Sequence, residues 1–323
     1  MRRARRRCVV FVGGLLAGFL VLPFGASAYP ERPIELTVPF AAGGGSDIMA
    51  RTIAAIMQQE KLLPQPIVVV NRPGGNGILG YLHVGLKTGE AHVLTAATPS
   101  FLIQPLLGRM KLTYRDYTLI AGLALDEFAL IVRADSPHRS VADLIAAARR
   151  SPKAVTVGGS SAPSTDSMIT HLVERATGAQ FNYVPFKGGG EVMTNLLGGH
   201  IAVASANPGE ALDQLEAKRI RALAVASDRR LHSLPDVPTL RESGIDVVVT
   251  QWRGVVAPKG IPPDAQAVLA AAFKRLTESK TWIQYVRENN LTPHYLAPDA
   301  FGRYLDSETE KMARTLREMG LIP

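Results

Sequence analysis

The stretch IELTVPFAAGGGSDIMARTIAAIM, residues 34–57, places an apolar run, three consecutive glycines and a helical pattern in that order. The run 34–40 suits a strand covered on both faces. Ser46 reads as an N-cap, and Asp47 sits where the positive end of a helix dipole favours an acid. Ile48, Thr52, Ile53, Ile56 and Met57 form the expected buried stripe. Gly43, Gly44 and Gly45 reach backbone angles closed to other residues and leave their N–H groups unobstructed. A helix start of this kind can hold an anion through peptide amides alone. Alternatively, the glycines serve only a sharp turn. The G-x-G-x-x-G spacing of a dinucleotide site is absent, and no lysine follows the last glycine as a P-loop requires.

The same construction recurs twice. AVTVGGSSAPSTDSMITHLVERATG runs from a strand through Gly158, Gly159, Ser160 and Ser161 into a helix beginning near Ser164 or Thr165. VPFKGGGEVMTNLLGG sets Lys187, Gly188, Gly189 and Gly190 ahead of another helix. Ligands of open α/β sheets bind beyond the carboxyl ends of the strands. Three strand–glycine–helix junctions therefore predict one cleft lined by helix starts.

Residues 1–28 carry five arginines, an apolar stretch from Cys8 to Phe24 and the triplet Ala26-Ser27-Ala28. This is the layout of a secretory signal cleaved before Tyr29, with a retained membrane anchor as the alternative. The arginine pairs hint at twin-arginine export, and Cys8 is badly placed for lipid attachment. Cleavage lowers the formal charge from +8 to 8 − 5 = +3 and removes the single cysteine. The remaining chain has no basic stripe interleaved with aromatics, which argues against nucleic-acid binding. Disulfides and thiolate metal sites are excluded.

Strand candidates lie at 34–40, 67–72, 92–98, 128–134, 154–159, 181–186, 201–206, 220–227 and 246–257, separated by helical patterns. Such alternation predicts an α/β protein with mainly parallel strands. Ser140 and Asp143 read as a capping box, with Val141, Leu144, Ile145 and Ala148 on one face. From about Pro262 the chain reads as three helices. The chain is expected to cross between two lobes near Asp126–Ala134 and near Thr250–Gly254. That gives residues 29–130 with 252–323 as the first lobe and 131–251 as the second.

Six motifs then occur in order: YPERPIELTVPFAAGGGSDIMAR, VVVNRPGGNGILG, VRADSPHRSVADLIAAA, VPFKGGGEVMTNLLGG, IRALAVASDRRLHSLPDVPTLRESG and WRGVVAPKGIP. Together they resemble the receptors of tripartite tricarboxylate transporters, the Bug receptors, over essentially all of residues 29–323. The resemblance implies a type II periplasmic-binding-protein fold, in which two α/β lobes close on a small carboxylate. It also implies that the ligand is held mostly by amides and waters of the first two glycine loops. The first loop matches well: Phe40, Ala41, Ala42, Gly43, Gly44, Gly45, Ser46 and Asp47. The second departs from the family's Gly-Ser-x-Gly-x-Gly-Ser pattern, and its candidates are Gly159, Ser160, Ser161, Ser164 and Thr165. Lys187 and Gly188 follow from the third turn. Asn195 replaces the usual aspartate, and Arg253 stands where an aromatic is common.

Arg253 reads either as a bidentate fork for a second ligand carboxylate or as a hinge arginine paired with a nearby acid. Asn207 ends a strand and can face the cleft. Trp252 and Phe186 read as apolar walls or, for Trp252, as core. Together with the glycine loops and the export signal, the resemblance implies an exported, periplasmic, monomeric solute receptor without catalysis, cofactor or metal. Its ligand would be a di- or tricarboxylate or an aromatic acid, and its partners membrane transporter subunits. A sensor kinase as partner is equally compatible. GGSSA at 158–162 nearly forms a nucleophile elbow, so a secreted serine hydrolase is a remote alternative. His83, Glu90 and His92 lack metal-ligand spacing. On this reading, Gly44→Val or Gly159→Val abolishes binding and leaves the fold intact.

Overall fold

The computed structural model describes residues 29–323; the expected export signal lies outside the described residues. Two mixed sheets carry the molecule. Strands β1 (Ile34–Val38), β2 (Ile67–Asn71), β3 (Val93–Ala97) and β4 (Tyr117–Glu127) belong to the first sheet. The second holds β5 (Ala129–Arg133), β6 (Thr156–Gly159), β7 (Asn182–Pro185), β8 (Val203–Ala206) and β9 (Ile220–Val225). The chain then returns, adding β10 (Thr250–Pro258) and β11 (Leu291–Leu296) to the first sheet. The orders are β11-β4-β10-β3-β1-β2 and β7-β6-β8-β5-β9.

Strands joined by helical crossovers within a lobe are parallel, as in β1 with β2 and β3, and β6 with β7 and β8. Those that carry the chain between lobes run the other way: β10 is antiparallel to β3 and β4, and β5 to β8 and β9. The expectation of mainly parallel sheets fails for that reason. β4 becomes β5 across the single residue Phe128. On the return, the Val249 N–H still bonds the carbonyl of Ala226, just past β9, while Thr250 already pairs with Glu127 of the first sheet. The two connections are thus neighbours. Ala129 and Leu130 pair in the second sheet, and Thr250 and Gln251 in the first.

Helices cover both faces of each sheet, so most strands read as continuous apolar runs. On one face of the first sheet, α1 (Gly45–Gln59) packs with two C-terminal helices around Leu36, Leu94 and Ile120. The opposite face carries α2 (Ile78–Gly85) and α3 (Ser100–Leu106), with Tyr81 and Phe101 in the core. The second sheet is flanked by α4 (Val141–Arg150) and α5 (Thr165–Thr177) on one face. Helix α6 (Gly189–Leu197) lies on the other, and the short α7 (Leu212–Glu216) precedes β9. The two C-terminal helices under α1 are α8 (Pro263–Glu278) and α9 (Lys280–Glu288); α10 (Pro298–Glu318) packs beside α3.

Helix α4 starts at the expected capping box, both halves of which form. Other details depart from expectation. Helix α1 begins two residues early, with Gly44 rather than Ser46 as N-cap; Ser46 and Asp47 turn inward with Met49, Ala50, Ile53, Ile56 and Met57, and Ile48 is exposed. Asp246–Val249 stays outside the sheet. Two strands escape the sequence reading. The β4 segment YTLIAGLALDE lacks alternation, and β11 contains Pro293, which normally demotes a strand but is tolerated here at a sheet edge.

Candidate functional site

A cavity of about 450 Å³ lies between the two lobes. It is bordered by the loop from β1 to α1, the loop from β6 to α5 and the turn from β7 to α6, together with Asn207, Glu210, Gln251 and Arg253. Small-molecule sites commonly span about 300–1,000 Å³.

The first loop is set by Asp47. Its buried carboxylate accepts from the Gly43 N–H at 2.9 Å, Asn71 Nδ2 at 2.9 Å and Arg51 Nε at 3.0 Å. Gly43 turns with φ +83°, a left-handed angle that favours glycine. Burial alone would push the Asp47 carboxyl up, but the bonds from Arg51, Gly43 and Asn71 outweigh it and hold it below the ordinary range. Asp47→Ala is therefore expected to cost about 1–3 kcal/mol of stability. Because the folded-state value is depressed, this contribution is present above the unfolded value of about 3.9 and disappears as pH falls through the folded one. Denaturant melts of both proteins at pH 7 and in acid measure the difference.

At the start of α1 the Gly45 N–H donates to Glu210 Oε1 at 3.2 Å. Glu210 belongs to the 3-10 turn Pro208–Ala211 after β8, so this bond joins the two lobes. A Cβ on Gly189, the first residue of α6, would fall on Glu210 Oε2. The carboxylate thus lies against the starts of two helices. Protein surrounding it, and then Asp126, push it up while Arg253 opposes them; the side chain still reaches solvent in the cleft, which moderates the effect.

The second loop is built around another acid. Asp166 is buried and accepts from the Ser160 N–H, Ser160 Oγ and Ser164 Oγ. Ser164 caps α5 with a complete capping box, and Tyr183 Oη donates to the Ser161 carbonyl at 2.6 Å. Burial pushes Asp166 up, and its serine donors only partly offset that. No ion pair to Asp166 is present among the described residues.

At the cavity wall, Arg253 is buried on β10. Its Nε and Nη2 both donate to Asp126 Oδ2, the former at 3.0 Å, and Nη1 donates to Ser46 Oγ at 2.8 Å. Burial pushes Asp126 up against the pull of the guanidinium, and Asp126 in turn helps keep Arg253 charged.

Comparison with known proteins bears on this arrangement. A family model described as "Tripartite tricarboxylate transporter family receptor" matches residues 49–321. The chain belongs to that receptor family. It is 30% identical to protein BugT of Bordetella pertussis over 325 residues, 99% of each chain. A TctC solute-binding protein from Polaromonas is 33% identical, with a TM-score of 0.72 over 90% of this chain and 99% of that one. An R. palustris protein solved with adipate is 28% identical, with a TM-score of 0.85 over 90% of this chain and 98% of that one. The two-lobed α/β fold is the fold of these binding proteins.

In this member of the family, the cavity is lined by Phe40, Ala41, Ala42, Gly43, Gly44, Gly45 and Ser46 from the first loop. Ser160, Ser161, Ser164 and Thr165 come from the second, and Lys187, Gly188, Asn207 and Arg253 complete the sequence-derived set. Asp47 and Gly159 are outside the lining. Asp47 folds back on its own loop, and Gly159 is buried at the end of β6. The open fork expected of Arg253 is not found, since Asp126 and Ser46 take its donors; the paired-hinge alternative describes it. Asn207 is likewise engaged, its Nδ2 donating to the Glu127 carbonyl at 2.9 Å. Trp252 is core, packed edge-on against Phe301, and Phe186 packs beside α6 and outside the lining. Sequence reading missed Asp126, Asp166, Glu210 and Ser205. For Asp166 a signal existed: like Asp47, it sits in the first helical turn after a glycine loop and folds back on that loop.

Proposed function

We propose that this chain is a periplasmic receptor that captures a small organic carboxylate between its lobes without chemical change. Closed on its ligand, it would be recognised by membrane subunits of a tripartite tricarboxylate-type transporter. The observation that carries the reading is the inter-lobe cavity into which the starts of α1 and α6 converge, in a member of a solute-receptor family. The adipate-bound relative supports a carboxylate. We assign residues 29–127 with 250–323 to one lobe and 129–249 to the other, shifted from the sequence expectation because Ala129 and Leu130 pair in the second sheet and Thr250 and Gln251 in the first, with residues 1–28 as export signal. Among the described residues no helix is long and apolar enough to cross a membrane.

Ligand recognition is assigned to the first loop, Ser161, Thr165 and the Lys187–Gly188 turn. Ser160 and Ser164 shape the second loop through Asp166, and their hydroxyls act there as donors, not nucleophiles. Gly44 tests the assignment most cleanly. Its backbone is extended, with φ −84° and ψ 166°, and an added Cβ meets only the Ala41 carbonyl oxygen, at 3.8 Å. Gly44→Val is expected to fold normally and to weaken ligand binding on the order of 100-fold, about 2.7 kcal/mol. A thermal-shift screen against carboxylic acids reads this directly, since ligand at a hundredfold excess over Kd stabilises by about 2.7 kcal/mol. Equal shifts in variant and wild type would remove the first loop from the site.

A further inference from the structure

Anion recognition by amides alone meets an obstacle in this cleft. Asp166, Glu191 and Glu210 line it, with Lys187 and Arg253 as the lining cations. Arg253 is already neutralised by Asp126. Four carboxylates against two cations leave a formal charge of −2 around the space a guest would fill. A dianion such as adipate would enter a field of its own sign.

The acids are not equivalent. Asp166 is saturated by Ser160 and Ser164. Glu191 Oε2 accepts from the Lys187 N–H at 2.8 Å, at the start of its own helix. Glu210 is different: Oε1 holds a single bond, to the Gly45 N–H, and Oε2 accepts none among the described residues. It is solvent-accessible within the cleft and stands between the starts of α1 and α6, where an anionic guest would otherwise be seated. Also in the lining of this cavity, Ser205 is 2% exposed, and its hydroxyl has no partner among the described residues. Lys187, two residues before α6, is exposed, lines the same cavity and makes no ion pair among the described residues.

Building on the receptor reading above, we propose that the guest carries a protonated nitrogen as well as a carboxylate, as an amino acid or an amino-substituted organic acid does. The ammonium is met by Glu210, with Ser205 as a further acceptor. The carboxylate is met by Lys187 and the remaining first-loop amides. Charges of both signs are thereby paired, and the interior carboxylates gain the partner that this chain's own cations do not supply.

Calorimetric titration of the purified receptor with adipate, 2-aminoadipate, 6-aminohexanoate and 1,6-diaminohexane tests the proposal. At least one amino-carboxylate is expected to bind tenfold or more tightly than adipate. Glu210→Gln, which keeps the shape and removes the charge, is expected to weaken that ligand about tenfold and to strengthen adipate. Adipate binding as tightly as both amino acids, or more so, overturns the inference and leaves the carboxylate receptor standing. Binding of the diamine alone overturns both, as does binding of none of the four. An unchanged ligand order in a folded Glu210→Gln variant overturns the role of Glu210.

Discussion

Arg253→Ala is expected to lose about 3–5 kcal/mol of stability, because it leaves a buried carboxylate without its cation. Asp126 and Arg253 are each less than 5% exposed, and the arginine also holds Ser46 at the start of α1. Glu127, next in the chain, is itself buried and pushed up by that burial. Without the guanidinium, two adjacent acids would share an apolar setting at the point where the chain changes lobes. The sign with pH follows. The Asp126 value in the folded variant rises further above its unfolded value, so the penalty is full at neutral pH and fades as pH drops toward about 3.9, where protonation removes the charge. Urea melts with an unchanged slope give the loss. The double variant Asp126→Leu with Arg253→Met is expected to recover most of it, since apolar replacement of a buried pair is often neutral or better. A loss below about 1 kcal/mol in Arg253→Ala would place the compensation of Asp126 elsewhere.

Gly159→Val is expected to prevent the second lobe from folding, a correction to the expectation that this variant would lose binding alone. A Cβ at Gly159 would sit 2.5 Å from Asp166 Oδ2 and 2.8 Å from its Cγ, and closer still to Tyr183 Oη. Neither side chain can step aside freely. Tyr183 is tied to the Ser161 carbonyl, and Asp166 to Ser160 and Ser164. Moving Asp166 strips the donors of the loop, each buried unsatisfied group costing about 1–3 kcal/mol, on top of about 1–3 for overpacking. The combined effect exceeds about 4 kcal/mol. Far-ultraviolet circular dichroism and soluble yield, compared with Gly44→Val, separate the two glycines. A soluble, cooperatively melting Gly159→Val protein would show that this loop is more plastic than its bonding indicates.

The contrast between these glycines marks what was legible in the sequence. Strand–glycine–helix order, the Ser140 and Ser164 caps and the position of the cleft rest on local chemistry, and six ordered motifs carried the family. Arg253 could be singled out, but its partner lies 127 residues away, and only the pairing of β4 with β10 brings them together. Glu210 meets Gly45 across 165 residues. Its place depends on how one lobe faces the other, and no spacing rule reports that. Asp47 was read correctly into the first turn of α1, but the N-cap is Gly44, two residues before the expected Ser46, and Ile48 faces solvent instead of joining the buried stripe.

The pairing of Thr250 with Glu127 has a mechanical corollary. Two hydrogen-bonded ribbons lying side by side resist sliding and twisting but flex across their thin dimension. Closure of the proposed receptor would thereby be confined to one angular coordinate, and a protein touching both rims would sense occupancy as that angle. In the proposed receptor, capture of a molecule with few atoms would be converted into displacement at a rim far from it, without any lever beyond the pair of ribbons themselves.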